Sequence, residues 1–155
     1  MIVNKEKIKV AVTDIIMVIV SVLYTIGIRA WFPVCEPMED GSFMACHWAG
    51  EVLKAISILL LVLACAHAFC APDGKIKTGL DYGIAGISAL GFCIPGRVIS
   101  LCKMAEMRCR ANTQLWTIIF MIAMILIAIA DVVLYFTKAS DEKHARPSSG
   151  RGEKE

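Results

Sequence analysis

The chain has 155 residues, 57% of them hydrophobic and 19% charged, with a mean hydropathy of +0.67. That is one domain's worth of sequence and too apolar for a water-soluble globule. Sixteen basic and 14 acidic side chains leave a formal charge of +2, too weak a field to hold nucleic acid; the sequence also lacks a phosphate-cradling glycine loop, an HExxH zinc motif and a nucleophile elbow.

A helix needs about 20 apolar residues to cross a bilayer core. Four stretches meet or approach that length, at about 10–30, 50–71, 79–101 and 111–136, and predict an all-α, four-transmembrane-helix bundle over residues 1–136. The first carries Asp14 as its only ionisable group between Val10 and Ile28. Lys5, Lys7 and Lys9 before it would suit a signal peptide, but no small-x-small cleavage site follows. Arg29, Trp31, Phe32 and Pro33 read instead as an interfacial anchor, so the helix is retained and leads into an outer loop at about 31–49. The second span is interrupted only by His67.

The third span has the shortest apolar run, Tyr82 to Gly96, and its Gly79, Gly83, Gly86 and Gly91 predict a close-packing seam, within the bundle or toward a partner. A second outer loop follows at about 102–110. The fourth span begins with the uncharged run Ala111 to Ala130 and meets Asp131. Residues 137–155, charged and containing Ser, Gly and Pro, are expected to form a disordered cytoplasmic tail. Four spans put both termini on one side, and ten of the 16 basic residues fall on that side. The expectation is a multi-pass protein of the cell (inner) membrane with both termini cytoplasmic.

The two halves echo one another. Asp14 and Asp81 each precede a cysteine, Cys35 and Cys102, by 21 residues, and Met44-Ala-Cys46-His47 answers Met107-Arg-Cys109-Arg110. Two helix-hairpin repeats related by a pseudo-two-fold along the membrane normal would give this pattern. The loops differ in charge, with Glu36, Glu39, Asp40 and Glu51 facing Arg97, Lys103, Arg108 and Arg110, so they are expected either to pack together or simply to face water.

Cys35, Cys46, Cys102 and Cys109 lie on the oxidising side of this topology. They are read as two staples, Cys35 with Cys46 and Cys102 with Cys109, with cross-loop pairing left open. Cys65, Cys70 and Cys93, within or beside the spans, are read as small apolar packers. Two other chemistries use the same loops. Four spans with two outer cysteine pairs resemble the architecture of DsbB and vitamin K epoxide reductase, which pass electrons to a quinone, although neither pair here is Cys-x-x-Cys. Thiolate and thioether also suit Cu(I), and Cys35, Met38, Met44, Cys46 and His47, with Met104, Met107 and Cys109, form two such sets.

Ionisable residues in hydrocarbon are expensive and mark function or pairing. Asp14, His67, Asp81 and Asp131 all fall toward the cytoplasmic ends of their spans. His67 and Asp131 occupy like positions, 21 residues after Cys46 and 22 after Cys109, placed for a structural or a proton-handling hydrogen bond across the bundle.

The segments Cys35-Glu-Pro-Met38 through Met44-Ala-Cys46-His47-Trp48-Ala49-Gly50, and Cys102 through Met107-Arg-Cys109-Arg110, resemble an uncharacterised family of bacterial membrane proteins, domain-of-unknown-function family 4418. The likeness covers about residues 10–136 and departs at Arg108, where a small residue or proline is expected. It implies a four-helix integral membrane protein with no established activity. Its members' genes lie near those of transporter-type permeases and ATPases, which implies an accessory subunit. The reading is therefore an interaction protein with stapled outer loops and not an enzyme. No catalytic residue is assigned and no cofactor is expected, Cu(I) or a quinone belonging only to the alternative redox and copper readings. The partners are the lipid bilayer and another membrane protein such as a transporter permease, a homo-oligomer also being compatible.

Overall fold

The computed structural model describes residues 2–32, 45–70, 74–99 and 109–145. These residues form four helices, α1 (Ile2–Ala30), α2 (Ala45–Cys65), α3 (Gly74–Cys93) and α4 (Leu115–Ala145), and no named strand. Three segments are long and apolar enough to cross a membrane, Val12–Ala30, Ala45–Phe69 and Arg110–Thr137. The exception is α3, whose 20 residues include Lys75, Lys77 and Asp81; it is the element whose apolar run is also shortest.

The helices pack in a ring. α1 lies against α2 and α4, and α3 against the same two neighbours. Every helix buries one stripe at the 3.6-residue period: Met17, Ser21, Tyr24 and Ile28 on α1, Leu53, Ser57, Leu60 and Ala64 on α2, Ile84, Ser88 and Gly91 on α3, and Thr117, Met121, Met124 and Ala128 on α4. The stripes mix large apolar residues such as Met17, Leu53, Ile84 and Met121 with small and hydroxyl ones such as Ser21, Ser57, Ser88 and Ala128, while Ile15, Ile19, Ile26, Val62, Leu126 and Val133 face outward. An apolar outer face suits lipid. With apolar surroundings on both sides, association rests on close packing and interhelical hydrogen bonds. The Thr25 hydroxyl lies 3.2 Å from the Ser57 carbonyl oxygen, joining α1 to α2.

Two sets of contacts fix the helix directions. At one end, Trp31 N–H and Phe32 N–H both donate to the Gly27 carbonyl at 2.9 Å, folding the chain back as α1 ends. The Phe32 ring then covers Gly27, where a Cβ would collide with it. Ring centroids lie 6.4 Å apart for Phe32 and Tyr24 and 6.2 Å for Phe32 and Trp116, and the Thr113 hydroxyl donates to the Phe32 carbonyl at 3.1 Å. The exit of α1 is thus bound to the entry of α4. At the other end, groups from all four helices converge.

The helix boundaries differ from the expected spans for local reasons. α3 stops at Cys93 because Pro95 (ψ 112°) and Gly96 (φ 88°) turn the chain, with Ile99 N–H donating to the Ile94 carbonyl at 3.1 Å. α4 continues past the expected start of the tail at 137 as far as Ala145. The sequence there contains no Gly or Pro until Pro147, whose preceding residue is biased away from helix. Residues 146–155 lie outside the described residues, as do most of both outer loops, including Cys35, Met38, Met44, Cys102, Met104 and Met107. The loop grammar behind the expected repeat lies there too. Of the opposed loop charges, Glu51 pairs with Lys54 on its own helix at 2.7 Å.

Gly96 occupies the left-handed region, where an L side chain costs roughly 1–2 kcal/mol, and a Cβ would also stand 3.1 Å from the Gln114 amide nitrogen. Gly96→Ala should therefore lower unfolding stability in detergent by about 1–2 kcal/mol, measured by denaturant titration of the helical circular dichroism signal.

Candidate functional site

Each buried stripe, followed toward the end of the bundle that carries the α2–α3 connection, runs into an ionisable residue. On α1 the step from Met17 leads to Asp14, on α2 from Ala64 to His67, on α3 from Ile84 to Asp81, and on α4 from Ala128 to Asp131. These are helical spacings, so the four side chains point into one space. His67 sits where α2 widens into a π-type turn over Ala66–Cys70, a distortion often found at functional sites.

The imidazole is the hub, with 0% of its side chain exposed. Its Nδ1 lies 3.2 Å from Asp14 Oδ1, and its Nε2 lies 3.1 Å from Asp81 Oδ1 and 3.5 Å from Asp131 Oδ2. The side-chain exposures of Asp14, Asp81 and Asp131 are 12%, 2% and 5%. All four residues named from the sequence therefore meet, and the expected His67–Asp131 proximity is one edge of a larger cluster. Two further members had not been singled out. Lys77 Nζ lies 2.6 Å from Asp14 Oδ2, and the Thr13 hydroxyl donates to Asp131 Oδ1 at 2.6 Å. Lys77 stands four residues before Asp81 on the same helix face, the spacing at which side chains neighbour one another; that was the available signal.

The ring nitrogens are within ion-pair distance of carboxylates, yet neither makes a directional hydrogen bond, and Asp14 Oδ1 and Asp81 Oδ1 are likewise buried without one. The imidazole is held by charge and burial more than by aligned bonds, whereas Asp14 and Asp131 each accept one short hydrogen bond. Beside it, an open cleft of about 390 Å³ lies between α1 and the turn after α2, lined by Asp14, Ile15, Val18, Ile19, Ala68 and Phe69. Asp14 gives this apolar cleft its charge.

The glycines of α3 divide between two faces. Gly91 is buried, and a Cβ there would stand 2.8 Å from Met121 Cε. Gly79, Gly83 and Gly86 point outward with nothing within 4 Å of a Cβ. Among the other residues named from the sequence, Cys46 is buried near the start of α2, Cys109 opens the turn leading to α4, and Cys65 and Cys93 carry free thiols.

Removing one member of a buried charge cluster strands the others, at roughly 3–5 kcal/mol. His67→Ala, which takes away the ring shared by three carboxylates, should destabilise the bundle by about that amount, whereas Leu59→Ala on the outward face of α2 should change little. Thermal unfolding of both proteins in the same detergent checks the contrast.

The family described as a domain of unknown function (DUF4418) matches residues 17–134. No curated protein and no solved structure matches the chain. The match spans most of the sequence, and the chain belongs to that family.

Proposed function

We propose that this member of the DUF4418 family is an interaction subunit of a membrane complex, held in the inner membrane with both termini cytoplasmic, whose α3 receives a transmembrane helix of a transporter-type permease. The observation that carries the reading is the outward face of α3, where Gly79, Gly83 and Gly86 leave the backbone uncovered. Small residues at this spacing let a second helix approach closely, the main source of affinity between helices in lipid. α3 is also the helix that, though 20 residues long, is not apolar enough to be counted among the membrane-crossing segments. A neighbouring helix would shield it. The orientation rests on the ten basic residues gathered on the side of the termini.

The outer loops complete the proposal as rigid elements closed by Cys35–Cys46 and Cys102–Cys109. Cys46 near the start of α2 and Cys109 in the turn before α4 are placed alike, each at the entry to the second helix of its hairpin. A bridge of this kind constrains the unfolded chain and fixes a loop of about ten residues.

Two experiments test these statements. Affinity purification of the tagged chain from mildly solubilised native membranes should recover a polytopic permease in constant ratio. Gly83→Ile, which fills the glycine face, should reduce that recovery about tenfold, equivalent to ~1.4 kcal/mol of association, without altering helix content. A monomer, or a complex containing copies of this chain alone, would defeat the permease reading. Separately, peptide mapping after alkylation without reductant should find the two within-loop bridges intact. Free or readily cycled thiols at those four positions would point to redox or Cu(I) chemistry instead.

A further inference from the structure

We infer that the His67 cluster is a binding site for one divalent first-row transition-metal ion, held by a ring nitrogen of His67 and the carboxylates of Asp14 and Asp131. The inference does not depend on the partner proposed above.

The charge balance leads to it. Asp14, Asp81 and Asp131 bring three negative charges to one buried spot, and Lys77 brings one positive charge. With a neutral imidazole the group is two positive charges short of neutrality. A protonated imidazole supplies only one of the two. In a membrane interior an uncompensated charge costs several kcal/mol; a single divalent cation offsets both missing charges, as would protons on His67 and one carboxylate together.

The geometry points the same way. One donor atom each from Asp14, His67 and Asp131 lie within 4.8 Å of one another, close enough for small side-chain adjustments to bring them to the roughly 2.0–2.2 Å of metal–ligand contact around one ion. The ring nitrogens of His67 are fully buried and make no directional hydrogen bond, although carboxylate oxygens surround them. A ring nitrogen so placed takes either a proton or a metal ion as its electrophile. Asp81 Oδ1, 3.1 Å from Nε2, orients the ring, as outer carboxylates do for metal-binding histidines. The Thr13 hydroxyl, 2.6 Å from Asp131 Oδ1, orients that carboxylate in turn. Lys77 fixes Asp14 through its other oxygen.

The donor set selects the class of ion. One imidazole with carboxylates suits Zn²⁺, Fe²⁺ or Mn²⁺, whereas Mg²⁺ and Ca²⁺ take oxygen ligands throughout and Cu(I) seeks sulfur. The cleft between α1 and the turn after α2 ends at Asp14 and gives the ion a way in.

The test uses the full-length protein in detergent, stripped with a chelator and titrated with Zn²⁺ and, separately, Mn²⁺, with bound metal counted by mass spectrometry. Co²⁺ substitution adds a visible spectrum that reports the ligand field. The wild type should retain one ion per chain, with Zn²⁺ bound more tightly than Mn²⁺. Asp131→Asn should abolish retention. Thr13→Val, which leaves every charge in place and keeps the protein folded by size exclusion and circular dichroism, should weaken affinity about 10-fold. Failure of the wild type to retain stoichiometric Zn²⁺ would overturn the site and leave the cluster to protons. So would a spectrum and affinity unchanged in folded Asp131→Asn and Thr13→Val proteins, because the ion would then sit elsewhere on the chain.

Discussion

Three carboxylates and a histidine inside a membrane bundle are tolerable only if they find one another, and that constraint governs the arrangement of all four helices. Asp14, His67, Asp81 and Asp131 each come from a different segment and meet around one imidazole. A quarter-turn of any helix would carry its charged group into lipid. The cluster therefore sets the rotation of each helix as well as its neighbours, which packing between apolar surfaces in an apolar medium does only weakly.

The consequences extend along each helix. With Asp81 turned inward, the residues two before, two after and five after it fall on the opposite side, so Gly79, Gly83 and Gly86 face outward while Gly91 returns to the interior against Met121. One anchoring group thus creates both an internal contact and an uncovered external face. At the far end of the bundle, Phe32, Trp116 and Tyr24 stack, and Thr113 donates to the Phe32 carbonyl. The bundle is pinned by charge at one end and by aromatic packing at the other, with a mixed stripe of large apolar, small and hydroxyl side chains between.

The two pinned ends divide the chemistry. Cys46 and Cys109 stand at the helix entries of the aromatic end, and oxygen and nitrogen donors gather at the charged end. These are different ligand fields separated by the thickness of the bundle. The cleft reaches only the charged one, through Asp14. The uncovered glycine face of α3 and the cluster inside the bundle do not overlap.

Much of this was legible in the sequence because lipid imposes a simple rule. Apolar runs of spanning length identified the helices, and ionisable residues within them were conspicuous, so Asp14, His67, Asp81 and Asp131 stood out by composition alone. α3 showed itself as the weakest span through its short apolar run. What sequence could not decide was convergence. Whether His67 meets one carboxylate or three depends on helix directions, rotations and the widened turn at Ala66–Cys70, which are long-range outcomes. Lys77 and Thr13 carry no such signal in composition, and only the fold gives them Asp14 and Asp131 as partners. The glycines of α3 likewise gave a seam without a side. Burial of Asp81 in the cluster decided it, because a rigid helix cannot turn its charge inward without turning the opposite face out.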